Sequence, residues 1–207
     1  MRRFFEYRRL AVAPRTWGKV AGPSAEAVQS AAAQRDAALY GLWLGQIGLE
    51  RDEGILMTAW NSLETMQAEA DAVAASRDWS TVETVRLGVT VRPESDQRPG
   101  RPGFYAHRWF EMPTDSWPEF VDLSADAWPS MEQAVDAHIE GLWREVSNSA
   151  QGVTRVLLLT HYAHLSDWEN SRWWGRPDPA AEAAMARFKR RTELVQRTTV
   201  TISTLPE

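Results

Sequence analysis

Apolar and polar positions alternate along residues 84–92, where Val85, Leu87, Val89 and Val91 sit between polar neighbours. A period of two predicts a strand with one buried face. Residues 3–11 mix aromatic and charged side chains and predict another strand. Residues 42–48 and 54–60 predict two more, divided by the polar turn Glu50-Arg51-Asp52-Glu53-Gly54. A helix is predicted over 24–39, with Ser24 as its N-cap after Pro23. Asn61-Ser62-Leu63-Glu64 resembles a capping box and opens a second helix. The order is βαββαβ.

The same pattern returns one hundred positions later. Phe4, Arg8, Trp17, Ser24, Ala25, Ala27, Ser30, Asp36-Ala37 and Gly41-Leu42-Trp43 each recur at n+100, giving 12 identities over the 40 positions from 4 to 43 without a gap. After a two-residue slip, Leu56 falls on Leu158, Trp60 on Tyr162 and Leu63 on Leu165; later Val89-Thr90-Val91 falls on Ile202-Ser203-Thr204. Self-similarity at a fixed offset decides the architecture. The second copy predicts a helix carrying Trp128, Met131, Val135 and Ile139 on one face. It also predicts a capping box at Ser166-Asp167-Trp168-Glu169 and a helix restart at Asp178-Pro179. The expected organisation is a first ferredoxin-like repeat over 1–92, a Pro/Gly linker over 93–103 and a second repeat over 104–207.

A four-stranded sheet with two helices on one face leaves its other face bare. In this chain that face carries aromatic and aliphatic residues as well. Packing the second sheet against it hides them and pairs the edge strands. The fold class expected is therefore α+β, two ferredoxin-like repeats forming one pseudo-dimeric α+β barrel.

Composition narrows the function. Hydrophobic residues make up 43% and charged residues 25% of the 207, which suits a globular chain. A net charge of −5 argues against a general nucleic-acid binder. No apolar run is long enough to span a bilayer, and no secretory signal follows the basic N-terminus, so a cytoplasmic home is expected. The absence of cysteine excludes disulfides, thiolate nucleophiles and Cys-ligated metals.

No phosphate loop, nucleophile elbow or metalloprotease motif is present. Candidate chemistry therefore rests on scattered strand residues expected to face the barrel interior. Alternation puts Glu6 and Arg8 on one face of the first strand with Phe4 and Leu10; copy two offers Phe104, Ala106, Arg108 and Phe110 there. Each arginine reads either as a structural pairing residue or as an anion-binding group. Glu6 is a ready partner for Arg8, whereas Ala106 leaves Arg108 without one, so Arg108 is expected to mark the ligand end of the cavity. Trp43, Trp143 and Tyr162 are candidate aromatic walls. His107 and His161 read as buried imidazoles on the helix-packing side, as general bases, or as axial haem ligands. His161-x-x-His164 suggests no complete metal site, His138 reads as structural on a helix face, and no metal or cofactor is expected. The segment Trp173-Trp174-Gly175-Arg176-Pro177, absent from copy one, reads as a lid or as a packing contact.

The motifs also resemble a family. Phe5-Glu6-Tyr7-Arg8, Gly41-Leu42-Trp43-Leu44-Gly45-Gln46-Ile47-Gly48, Trp60-Asn61-Ser62-Leu63 and Asp78-Trp79 are similar to the motifs of NIPSNAP-type domains, with Gln46 where that family has glutamate. Tyr105-Ala106-His107-Arg108 and Gly141-Leu142-Trp143 carry a weaker likeness in copy two. The resemblance implies a dimeric α+β barrel made within one chain, and little chemistry. At superfamily level such barrels include cofactor-free monooxygenases, cyclases and haem enzymes, an analogy of fold only. The function expected is a NIPSNAP-like protein binding a small, partly apolar, possibly anionic molecule in the barrel interior. The alternatives are a cofactor-free monooxygenase or cyclase acting on an aromatic or polyketide-like substrate with His107 or His161 as base, and a haem-binding barrel. The partners expected are that small molecule and a second copy of the two-repeat chain.

Overall fold

A computed structural model of the chain describes residues 1–146, 152–172 and 182–206, the side chains of 182–184 excepted. The strands are β1 (Phe4–Val12), β2 (Ala37–Ile47), β3 (Glu53–Trp60), β4 (Trp79–Val89), β5 (Phe104–Pro113), β6 (Ala137–Glu145), β7 (Val153–Tyr162) and β8 (Arg197–Thr204). The helices are α1 (Trp17–Ala33), α2 (Leu63–Ala74), α3 (Trp117–Ala134), α4 (Leu165–Asn170) and α5 (Glu182–Glu193). The strands close into one antiparallel barrel in the order β1-β3-β2-β8-β5-β7-β6-β4. Each copy supplies four neighbouring strands, and the copies join through β2–β8 and β4–β6.

The joins are symmetric. Leu44 pairs with Thr204 in one and Arg144 with Gly88 in the other. Within the copies, Glu6 pairs with Thr58 and Ala106 with Thr160, as the repeat requires. The last strand departs from the register expected. Arg86 stands opposite Glu6, and Ile202 opposite Ala106, so Ile202 is the counterpart of Arg86 and not of Val89. The β1–β4 ladder has a bulge between Arg9 and Leu10.

Strand phase decides what each side chain meets. Phe5, Tyr7, Trp43, Met57, Leu87, Tyr105, Trp143, Leu157 and Leu159 form the barrel interior. Leu10, Leu42, Leu56 and Trp60 face outward onto α1 and α2, with Trp17, Val28, Met66 and Trp79. Phe110, Leu142, Val156 and Leu158 face α3 and α5 in copy two. Both faces of most strands are therefore buried; all eight residues of β3 are. Glu6, Arg8 and Arg108 share the phase of Leu10 and Phe110, so they lie between sheet and helices rather than in the barrel interior where they were expected. His107 and His161 show the converse. They lie on the inner face, not the helix-packing side, with His107 against Trp43 and His161 against Tyr105.

The repeated Gly-Leu-Trp has a steric cause. A β-carbon at Gly41 or Gly141 would run into the six-membered ring of Trp43 or Trp143, two residues on. Each indole lies over its own strand, which glycine alone permits. Both indoles are fully buried.

Several local expectations need correction. The first helix starts at Trp17, with Pro23 inside it, because Trp17, Ala21, Ala25, Val28 and Ala32 already share its buried face. Ser62 caps α2 by accepting from the Thr65 amide, so the third helical residue is Thr65 and Glu64 takes no part in a box. The capping box of α4 is built by His164 and Asp167, two residues before the expected Ser166. α3 ends at Ala134, so Ile139 belongs to β6 and His138 is a strand residue near Glu132, not on a helix face. The Asp178-Pro179 restart and the Trp173–Pro177 segment lie outside the described residues.

Candidate ligand pocket

The two copies diverge between sheet and helices. In copy one, Arg8 is held on both sides. Its guanidinium donates to Glu6 from the same strand and to Asp71 from α2. Burial pushes the Glu6 carboxyl up, and Arg8 and, across the ladder, Arg86 oppose that rise. Trp60, Met66 and Trp79 pack around this face.

Copy two keeps the arginine as Arg108 but loses its neighbours on the sheet. Ala106 stands for Glu6 and Ile202 for Arg86, and α5 brings Phe188 and Arg191 up beside Arg108. The result is a cavity of about 220 Å³. Ala106, Phe110, Leu158, Trp128 and Phe188 give it an apolar wall; Arg108, Arg191, Tyr162 and Thr160 are its main polar groups. Among the described residues Arg108 makes no hydrogen bond and no ion pair. Its surroundings lower the guanidinium's affinity for its proton, chiefly through lost hydration and further through Arg172. Arg191 is pulled down to about 10 by burial and by Arg108. It donates to Ser124 Oγ at 3.3 Å and lies over the rings of Phe110, Phe120 and Phe188, contacts that do not neutralise it. Tyr162 is buried with its hydroxyl 3.4 Å from Ser171 Oγ.

Arg108 and Arg191, with Arg172 also on the lining and no carboxylate among the described lining residues, form an electropositive hollow. Planar, forked donors of this kind match a carboxylate or similar oxyanion. The sequence pointed to Arg108 through the missing Glu6 counterpart. Arg191 was missed, because it sits in a helix whose register is hidden by the insertion before it.

The other candidate residues are not brought to this pocket, Tyr162 excepted. Trp43 and Trp143 fill the barrel core. His107 has no exposed surface, bonds Ser203 Oγ at 2.8 Å and is driven down to about 3 by burial. A sealed, neutral imidazole with no path to a substrate packs the core rather than exchanging protons with a ligand. His161 is buried at the barrel end, its Nε2 2.9 Å from the Pro102 carbonyl oxygen. Glu6 and Arg8 neutralise each other.

Haem does not fit the described lining. No histidine reaches it, and the chain has no cysteine. Tyr162 and Met131 are the remaining groups that could meet iron, and the void is smaller than the ~300 Å³ at which pockets for drug-sized ligands begin. Among the described residues no three histidines, aspartates or glutamates cluster as a metal site. No helix among them is long and apolar enough to cross a membrane.

No family model matches the sequence, and no curated protein matches it. Solved structures do match its fold. An anthrone oxidase-like protein aligns over 99% of this chain and 92% of its own, at 14% identity and TM-score 0.63. A candidate monooxygenase from Lactobacillus acidophilus aligns over 100% and 95%, at 9% identity and TM-score 0.62. A chlorite dismutase mutant from Candidatus Nitrospira defluvii aligns over 99% and 91%, at 9% identity and TM-score 0.61. These neighbours share the dimeric α+β barrel fold across both copies of the repeat; identities this low speak for the fold alone.

Proposed function

We propose that this chain binds a small, partly apolar organic anion in the copy-two pocket between the outer face of β5, β7 and β8 and helices α3 and α5. Arg108 and Arg191 receive the acidic group, and the aromatic wall takes the apolar part. The observation that carries this reading is the contrast between Arg8, held by Glu6 and Asp71, and Arg108, which has no described carboxylate partner. A half-buried guanidinium without a described partner loses hydration that nothing replaces, and an anionic ligand offsets that cost. The interior site expected from the sequence has less support, because the barrel core is filled by large side chains.

The test is thermal shift with benzoate and salicylate on wild type, Arg108→Met and Arg191→Met. At a hundred times its dissociation constant a ligand adds about 2.7 kcal/mol to stability. The wild type should be stabilised and the variants much less. Equal responses in all three would remove the arginines from the site.

A second reading is favoured by the neighbours described as an anthrone oxidase-like protein and a candidate monooxygenase. An anthrone ionises to a flat, apolar phenolate-like anion, which suits the same pocket. Its oxidation by dioxygen gives the anthraquinone and one water. The described lining holds no carboxylate or imidazole base, which leaves Tyr162 and the arginines to stabilise the anion. Oxygen uptake with 1,8-dihydroxyanthrone, compared between wild type and Arg108→Met, separates catalysis from binding.

A further inference from the structure

The barrel has two unlike mouths. At one, Arg9 and Arg155 are set among Glu53, Glu83, Glu111 and Glu145 in an ion network that closes the end. The other mouth is crossed by residues 92–102. That strap is pinned at four points: Arg92 to Glu132 at 2.8 Å, Asp96 to Arg2 at 2.6 Å, the Arg101 carbonyl to the Tyr105 hydroxyl at 2.8 Å, and the Pro102 carbonyl to His161 at 2.9 Å. Beneath it is a cavity of about 550 Å³, larger than the copy-two pocket and within the range of small-molecule sites.

Its floor comes from equivalent bulges in opposite walls. β2 and β6 stand four places apart around the eight-stranded barrel, and their ladders slip at Tyr40 and Glu140, which are counterparts in the repeat. Both residues line the void. The Tyr40 ring is buried, and among the described residues its hydroxyl has no hydrogen-bond partner. Glu140 likewise has no described hydrogen bond or ion pair. The roof carries Arg98 and Arg101, exposed residues whose guanidiniums have no described partner; Arg92 and His138, on the rim, are both engaged by Glu132. Glu94 adds one exposed negative charge.

The void is therefore polarised, with a carboxyl group on the floor and guanidiniums on the roof, and no ion pair joins the two. The strap that carries the guanidiniums is held at four points. The molecule complementary to that field is a dipolar one, with a cation toward Glu140 and Tyr40 and a carboxylate toward Arg98 and Arg101. We propose that the strapped mouth is a second binding site, distinct from the copy-two pocket, and that it takes a zwitterionic amino acid. Burial without a cationic partner pushes the Glu140 carboxyl up to about 7. The groups facing it are Arg101, which opposes that rise, and Glu132, which adds to it. An ammonium group at this position ionises Glu140, so binding releases a proton near neutral pH.

The test screens the free amino acids one at a time at about 10 mM, ten times a dissociation constant of about 1 mM. Propionate is the control that lacks the ammonium. Melting temperature and amide exchange over 97–101 are followed in wild type, Glu140→Gln, the Arg98→Met/Arg101→Met double variant and Arg108→Met. At least one amino acid should raise the melting temperature and slow exchange in the strap, and propionate should do neither. Affinity should fall at least tenfold in Glu140→Gln and in the double variant, and stay unchanged in Arg108→Met. No response to any amino acid, a response equal to propionate's, or binding indifferent to Glu140→Gln would overturn the proposal. Loss of binding in Arg108→Met would move the ligand to the other pocket and overturn it too.

Discussion

Restoring in copy two the carboxylate that copy one possesses should weaken anion binding without unfolding the protein. Ala106 is buried, lines the pocket and stands where Glu6 stands relative to Arg8. In Ala106→Glu the new carboxylate reaches the Arg108 guanidinium as Glu6 reaches Arg8, and occupies it. A hydrogen bond to a charged group contributes about 1.5–3 kcal/mol, so losing Arg108 to an internal partner should weaken a carboxylate ligand roughly 10- to 150-fold. Folding stability should change little, because burying the new charge is offset by pairing a guanidinium that had none. The assay is isothermal titration with salicylate, and Ala106→Gln is the control that fills the same space without the charge. Unchanged affinity in Ala106→Glu would refute the argument. Equal loss in Ala106→Gln would show that space, not charge, decides binding.

Three further outcomes follow from the geometry. Arg8→Met should destabilise the fold by about 3–5 kcal/mol, since it takes from the buried Glu6 its hydrogen-bonded cation and leaves only Arg86 across the ladder, whereas Arg108→Met should be near neutral; urea denaturation compares them, and equal costs would contradict the asymmetry. Gly141→Ala should cost about 1–3 kcal/mol by driving a methyl group into Trp143, and Trp143→Ala about 3–5 kcal/mol; a cost below about 1 kcal/mol for either would show a core that yields. His107, depressed from 6.5 to about 3, favours the folded state when neutral, so its contribution is complete above 6.5 and is lost as pH falls toward 3. A His107→Gln variant should show a shallower acid limb in stability against pH, and an unaltered limb would show that His107 is not the group being titrated.

The architecture was readable because the repeat is written in residues that geometry cannot exchange. Gly41-Leu42-Trp43 and its copy persist because an indole must lie across a bare backbone. Strand phase was not readable. Alternation shows which residues share a face, but β1 places Phe5 and Tyr7 on one buried face and Phe4, Glu6, Arg8 and Leu10 on the other. When both faces are buried, period alone does not say which looks inward. Arg108 was legible as an anomaly through the lost Glu6 counterpart, although its pocket lies outside the barrel. Arg191 and Glu140 were not legible. One belongs to a helix displaced by an insertion, and the other to a bulge that shows only in the strand pairings.

The central claim is that Arg108 and Arg191 receive an organic acid in the copy-two pocket. The most direct measurement is a crystal structure with 4-bromobenzoate, located by the anomalous signal of bromine. A bromine peak is expected against the wall of Phe110, Trp128 and Phe188, with the carboxylate within hydrogen-bond distance of Arg108. A pocket without bromine at saturating ligand, or an Arg108 paired instead with a carboxylate of the protein itself, would contradict it.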